Sequence, residues 1–296
     1  MCRGEDHCTC VDTVSFCVLQ ELISNGEKAK KQHRSIPCEV MHVSRYDDVF
    51  RFIRIRVPQA DMFRKLGAYF FARVDENPFF DVPISVLYED YENGSIGMII
   101  QITGIKTERF RDLKKGDYIY IRGPYYNGIQ GRKAVALLHD SRAVVICRGI
   151  GFIPSLHVIG VLRRNNNAVD VYLDEGKFNK QVLRFFRDLQ EISVNEVRLC
   201  SQNGDLTDAF DQIAAKAGHD GTELIHLGLS DHLLKKAIER IEHIDPTRRI
   251  DLSCINNAHI CCGEGICGAC TKNLGVDHTV RLCKEQSDLY DYKKLL

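Results

Sequence analysis

Ala143-Val-Val-Ile-Cys-Arg-Gly-Ile-Gly-Phe-Ile-Pro154 is the stretch that decides the fold. Ala143 to Cys147 form an apolar run of strand length, Gly149 to Pro154 turn the chain, and Leu156 to Arg164 carry helical spacing. A strand that hands over directly to a helix opens a βαβ unit. Outward from it, strand patterns at Val169 to Leu173, Glu196 to Cys200 and Glu223 to Leu227 alternate with helical ones at Lys180 to Glu191, Ala209 to Ala217 and His232 to Ile241. Residues 140–250 are therefore predicted to form a parallel sheet with right-handed crossovers, a nucleotide-binding architecture.

The turn itself suggests what it binds. Gly149, Gly151 and Pro154 stand where a helix N-terminus would offer bare amides to a pyrophosphate. The usual third glycine is missing, and a tight strand-to-helix turn needs glycine for backbone reasons alone. At the end of the next strand, Asp174 and Glu175 could accept hydrogen bonds from a ribose 2′-hydroxyl. A carboxylate there repels a 2′-phosphate, which favours NADH over NADPH; an acidic pair after a strand is also what a solvated turn looks like.

Upstream the pattern changes. Between Ile36 and His139, short β-rich segments recur at Ile36 to Val43, Val49 to Val57, Tyr69 to Val74, Ile84 to Glu89, Ser95 to Ile102 and Asp117 to Arg122, separated by turns such as Glu92-Asn93-Gly94 and Lys115-Gly116-Asp117. Residues 37–139 read as a small antiparallel barrel, whose mouth suits a planar cofactor. Residues 1–36 read as an extension with a helix over Val14 to Ile23, capped by Thr13 and stopped by Asn25-Gly26. Its cysteines Cys2, Cys8, Cys10 and Cys17 could hold a second iron–sulfur cluster or could be free thiols.

Downstream, residues 251–296 contain Cys262-x4-Cys267-x2-Cys270-x12-Cys283. This is the plant-type spacing, in which a short loop supplies three thiolates to a 2Fe-2S cluster and a fourth arrives from further along. Gly263, Gly265 and Gly268 let the backbone turn tightly against the cluster. Zinc is the alternative, although its sites usually pair two C-x2-C knuckles and only Cys267 and Cys270 form one here. Cys254 and Cys261 lie close enough in sequence to compete as ligands; Cys261, adjacent to Cys262, should point away.

Composition sets limits. The chain has 296 residues, enough for two sizeable cores, and its 40 basic and 40 acidic residues cancel. That balance disfavours a nucleic acid or an anionic membrane as principal partner. Thirteen cysteines with no secretory signal and no apolar run of membrane-spanning length suggest a reducing cytoplasm rather than disulfides.

Barrel, α/β domain and C-terminal cysteine module, in that order, resemble the ferredoxin reductase superfamily. Within it the chain is similar to the electron-transfer subunit of dihydroorotate dehydrogenase and to the small subunit of NADH-dependent ferredoxin:NADP oxidoreductases (sulfide dehydrogenase). Relatives carry Arg-Pro-x-Ser against the flavin, and this chain has Val82-Pro83-Ile84-Ser85. The Gly-Thr pair is matched at the threonine of Gly104-Ile105-Lys106-Thr107, and Ile100 and Gln101 face the same site, with Gln101 where arginine is common. Arg73 or Lys106 would then have to supply the lost charge to the FAD pyrophosphate. Gly116-Asp117 and Gly123-Pro124 with Asn127-Gly128 resemble the loop at the barrel's end. Arg148 replaces the first glycine of Gly-Gly-x-Gly-x-x-Pro, and Leu227-Gly228-Leu229 keeps only the glycine of the Cys-Gly-Pro beside the nicotinamide.

The resemblance implies a multi-domain β plus α/β protein: an antiparallel FAD-type β-barrel, a parallel-sheet NAD-binding domain and a small C-terminal 2Fe-2S module. It implies an oxidoreductase subunit in which hydride from NAD(H) reaches FAD, and single electrons pass through Cys262, Cys267, Cys270 and Cys283 to a catalytic or flavoprotein partner subunit, or to ferredoxin. No side chain is needed as an acid or base. The alternatives are a subunit of an electron-bifurcating complex and a non-enzymatic iron–sulfur adaptor that has lost its flavin.

Overall fold

The structure, a computed structural model, describes residues 23, 26, 27, 33–178, 192–275 and 278–296. The N-terminal cysteines Cys2, Cys8, Cys10 and Cys17, all but the last residue of the helix read beside them, and the helix read over Lys180 to Glu191 lie outside the described residues.

Seven strands make the first sheet: β1 (Ile36–Arg45), β2 (Phe50–Arg56), β3 (Tyr69–Arg73), β4 (Val82–Ser85), β5 (Tyr88–Asp90), β6 (Ser95–Gln101) and β7 (Tyr118–Tyr125). They pair antiparallel in the order β4-β3-β7-β1-β2-β6-β5. The segment read as one strand over Ile84 to Glu89 is two, β4 and β5, which pair at opposite ends of this order and curl the sheet into a half-barrel. Strands β2, β3 and β6 are buried along nearly their whole length. The pleat explains why: Ile53, Ile55, Phe70, Ala72, Met98 and Ile100 fill the barrel, whereas Phe50, Phe52, Tyr69, Phe71 and Ile99 pack outward against the rest of the chain. Two buried faces erase the apolar–polar alternation that a half-exposed strand would show.

The second sheet has the order β11-β10-β9-β12-β13-β8. It comprises β8 (Ile129–Gln130), β9 (Arg142–Arg148), β10 (Ala168–Asp174), β11 (Asn195–Glu196), β12 (Leu224–Gly228) and β13 (Asp251–Ile255). All pairs are parallel except β8 with β13. The helices, in chain order, are α1 (Ile105–Glu108), α2 (Arg132–Leu137), α3 (Phe152–Arg164), α4 (Asp208–His219), α5 (Asp231–Ile244) and α6 (Leu289–Tyr292). The chain passes from one sheet to the other at Gly128, and β8 pairs with β13. Strand β13 continues the parallel sheet as far as Ile255. Ser253 hides this strand in the sequence, since a serine breaks an apolar run. Among the described residues no helix is long and apolar enough to cross a membrane.

The buried serine has a partner. His226 in β12 lies wholly inside, its Nε2 2.9 Å from Ser155 Oγ and its Nδ1 2.8 Å from Ser253 Oγ. Burial pushes the imidazole from 6.5 down to about 3. The unfolded chain therefore binds a proton that the folded chain refuses. This contribution to stability is complete above pH 6.5 and is lost as the pH falls towards about 3. Urea unfolding between pH 7 and 4 should show stability falling with pH, and His226→Asn should flatten that slope; an unchanged slope would contradict the account.

Candidate functional site

Between the half-barrel and the parallel sheet lies a cavity of about 350 Å³. The barrel contributes Tyr69, Val82, Pro83, Ile84, Ser85, Ile99, Ile100, Gln101 and Thr107; the other wall is Gly151, Ile153, Pro154 and the segment Ile255 to Ala258. Eight expected site residues are thus gathered here: Pro83, Ile84, Ser85, Ile100, Gln101, Thr107, Gly151 and Pro154. Every residue lining the cavity is uncharged. Flat apolar walls with a few polar atoms suit an aromatic ring system.

The other expected residues stand elsewhere. Lys106 turns from the cavity, its Nζ donating to the Asp81 carbonyl at 3.1 Å and lying 5.6 Å from the centre of the Phe79 ring. Arg73 is buried in an ion pair with Asp81 at 2.8 Å, so neither cation proposed to replace the missing arginine reaches the cavity. Thr107 lines the wall but spends its hydroxyl on its own turn, accepting from the Thr103 and Gly104 amides at 2.9 and 3.1 Å. This is the competition between side chain and backbone that short hydroxyls readily win.

Gly149 takes φ 52°, a left-handed conformation that glycine adopts without strain, and passes the chain into α3, which starts at Phe152 with Pro154 in its first turn. Gly151 and Gly228 serve close packing. A Cβ on Gly151 would sit 2.2 Å from the Gly228 carbonyl oxygen, and one on Gly228 would sit 2.6 Å from Ser155 Oγ. Asp174 is committed to the fold: Oδ2 accepts from the Leu199 and Cys200 amides at 2.8 and 3.1 Å and pairs with Arg148 at 3.3 Å, while Oδ1 accepts from Gly176 at 2.9 Å. It borders a second cavity, of about 540 Å³, at the carboxyl ends of β9, β10 and β11, where Arg148, Glu175, Glu196 and Arg198 supply charge.

The nine described cysteines are free thiols. Four of them meet as two pairs, Cys262 with Cys267 and Cys270 with Cys283, each within hydrogen-bonding reach. Among the described residues no three His, Cys, Asp or Glu side chains converge on a single ion. Two thiol pairs would fit a two-iron cluster, with Cys262, Cys267, Cys270 and Cys283 as the residues that would hold it. Burial pushes the Cys262 thiol up, but the amides of Cys267, Glu264 and Ile266 outweigh it and leave the thiol lowered. Cys270 is brought down to about 6, chiefly by the Cys283 thiol, which is itself pushed up by that hydrogen bond. One sulfur of each pair is thereby shifted towards the thiolate, the form that binds metal. Gly263, Gly265 and Gly268 take φ of 71°, 72° and 75°, which lets the loop fold back on its own sulfurs. Cys254 is buried in β13 and Cys261 is exposed, both apart from the two pairs.

Polar contacts that sequence reading missed fix this loop to the barrel. Asp81 is buried between Arg73 and Arg122, at 2.8 and 3.0 Å. Arg122 continues to the Cys262 carbonyl at 2.8 Å and to the Tyr125 hydroxyl, and its guanidinium lies 4.3 Å from the centre of the Phe71 ring. Tyr125 donates to Glu264 at 2.8 Å, with His33 Nδ1 3.0 Å from the same oxygen. Burial alone would raise the Glu264 carboxyl, but His33, Tyr125 and Lys284 hold it down at about 2. Behind the loop, Asn127 donates to the Leu282 and Glu285 carbonyls at 2.6 and 3.0 Å, and Gln286 donates to Asn127 and to the Ile129 carbonyl at 2.7 and 2.8 Å, which holds Cys283 in place. The sequence carries no periodic signal for these, since Asn127, Gln130 and Gln286 stand outside every predicted strand and helix.

No family model matches the chain. It is 28% identical over 209 residues to the probable dihydroorotate dehydrogenase B (NAD(+)) electron transfer subunit of Methanopyrus kandleri, covering 69% of this chain and 71% of that one. With the corresponding subunit of Clostridium acetobutylicum it shares 26% over 227 residues, 74% of this chain and 81% of that one. Among solved structures, an NADH-dependent reduced ferredoxin-NADP oxidoreductase, studied for flavin-based electron bifurcation, superposes with TM-score 0.64 at 13% identity over 87% of each chain. A ferredoxin NADP+ reductase of Neisseria gonorrhoeae with bound FAD and NADP superposes with TM-score 0.52 at 16% identity, over 73% of this chain and 92% of that one.

The chain has a ferredoxin reductase-like fold and is similar to dihydroorotate dehydrogenase B electron transfer subunits. The half-barrel followed by a parallel α/β sheet is the fold it shares with those reductases, and the cavity lies between the two sheets. In this chain the Arg122 contacts couple barrel to loop. Arg122→Met should cost about 1.5–3 kcal/mol of unfolding free energy, as expected for hydrogen bonds to a charged group. Hydrogen exchange should rise first in residues 262–268; unaltered exchange there would refute the coupling.

Proposed function

We propose that this chain is the electron-transfer subunit of a flavin- and iron–sulfur-dependent oxidoreductase, moving electrons between NAD(H) and a partner catalytic subunit. The observation that carries this reading is a shared wall. Tyr69 lines the cavity and also packs in one cluster with Cys270 and Cys283, so the cavity and the thiol pairs are neighbours. The relatives' role as electron transfer subunits supports the same reading.

In this reading Pro83, Ile84, Ile100 and Tyr69 would clasp a flavin ring and exclude water, with Ser85 and Gln101 offering polar contacts. Bound flavin would supply the conversion between two-electron hydride and single-electron transfer. The turn at Gly149, Gly151 and Pro154 would seat the nicotinamide nucleotide, with Gly228 keeping the floor beneath it clear. The second cavity, at the carboxyl ends of the strands, would take the adenosine half, with Glu175 rather than the committed Asp174 facing the ribose. Cys262 and Cys267 would hold one iron, and Cys270 and Cys283 the other. Ile266, four-fifths exposed on the loop's outer rim, would meet the partner, giving a hetero-oligomer.

The uncharged cavity favours one second reading, a cluster-bearing adaptor without flavin, because no lining residue would pair with a pyrophosphate. Anaerobic purification with flavin, iron and sulfide quantified separates the two. The proposal expects about one flavin and about two irons per chain, with Cys270→Ser losing the iron and the visible absorbance while Cys254→Ser keeps both. Iron without flavin would establish the adaptor, and zinc in place of iron would refute both readings.

A further inference from the structure

Tyr69 carries an unmet demand. Its ring is 97% buried, at 3% relative exposure, and its hydroxyl oxygen is buried with no hydrogen-bond partner among the described residues. Buried tyrosine hydroxyls ordinarily find an acceptor. Three neighbours fix the ring where it is. It stacks on Tyr125 with centroids 5.4 Å apart at 26°, meets Phe71 edge-on at 6.0 Å, and touches the segment at Gly128, whose added Cβ would lie 3.5 Å from Tyr69 Cδ1. The Tyr125 hydroxyl is already engaged with Glu264, and Arg122 donates to it.

The pleat of β3 determines on which face of the sheet the ring lies. Phe70 and Ala72 enter the barrel core, whereas Tyr69 and Phe71 emerge on the opposite face, in the cluster that contains Cys270 and Cys283. A phenol O–H is a hydrogen-bond donor, and Cys270 and Cys283 belong to the cluster in which its ring packs.

We propose that the Tyr69 hydroxyl donates a hydrogen bond to the sulfur shell of the cluster on its Cys270–Cys283 side, making this residue a determinant of the cluster's reduction potential. The inference rests on the reading of the cysteine loop as a 2Fe-2S site. A donor to sulfur favours the reduced, more negative state, so it raises the potential. Tyr69→Phe keeps the ring and the cavity wall and removes only the donor.

An EPR-monitored redox titration of the flavin- and cluster-loaded chain tests this. Relative to the parent, Tyr69→Phe should show about a tenfold lower reduced-to-oxidised ratio of the cluster at a fixed potential, a downward shift of about 59 mV for one electron, with the flavin midpoint unmoved. An unmoved cluster midpoint, or a flavin midpoint that shifts in its place, overturns the inference. Resonance Raman spectra of the parent in H2O and D2O give a second readout: Fe–S stretching bands should move on deuteration, and bands that stay fixed overturn it. A parent chain that takes up no iron overturns the underlying reading as well, whereas a loaded parent with an unmoved midpoint in the variant overturns this inference alone.

Discussion

A carboxylate buried between two guanidiniums sets the geometry of this molecule. Asp81 leaves the barrel just ahead of β4, is paired on one side with Arg73 and on the other with Arg122, and is 8% exposed. Such an arrangement contributes little net stability over an apolar replacement, because taking the charges out of water offsets their attraction. Its value is positional. Arg122 has donors to spare, and they reach across to the carbonyl of Cys262 and to Tyr125, which grips Glu264 two residues further along. Removing Asp81 would leave the Arg73 and Arg122 guanidiniums without their shared carboxylate, so the barrel and the cysteine loop hold one relative placement.

That placement sets the cavity and the thiol pairs beside one aromatic residue, Tyr69. The cavity between the sheets is uncharged, while the loop beyond it carries the thiol pairs and the amides that lower the Cys262 thiol. The segment from Leu282 to Ser287 is bound to residues 127–132 where the chain passes between the sheets, so Cys283 is held by the same hinge that frames the cavity. Hydrogen bonding from both sheets thus fixes a loop whose glycines alone would leave it free to move.

Much of this was legible in the sequence, for identifiable reasons. The run Ala143 to Cys147 into Gly149 gave the parallel sheet because strand, turn and helix follow one another within a few residues. The cysteine spacing pointed to four thiols as the ligands of one cluster, and in the fold Cys262 lies with Cys267 and Cys270 with Cys283. Elements made by distant contacts were hidden. Ile129–Gln130 is too short to show a period and exists only because β13 pairs with it. Asp251–Ile255 carries Ser253 facing His226, which masks its buried character. Asp174 looked like a ribose ligand because it ends a strand, but the Leu199 and Cys200 amides that engage it come from far along the chain. Tyr69, the residue joining cavity and loop, sat unnoticed in an apolar strand, where one more aromatic carries no signal.

The central claim is that electrons entering at the nucleotide turn leave through the cysteine loop by way of the cavity. Anaerobic addition of NADH to the loaded chain, followed by EPR at low temperature, tests it directly. The account predicts the signal of a reduced 2Fe-2S cluster in chain that holds flavin, and none after the flavin has been stripped and the cluster retained. A cluster that NADH reduces equally well without flavin, or one that stays oxidised while the flavin bleaches, would contradict it.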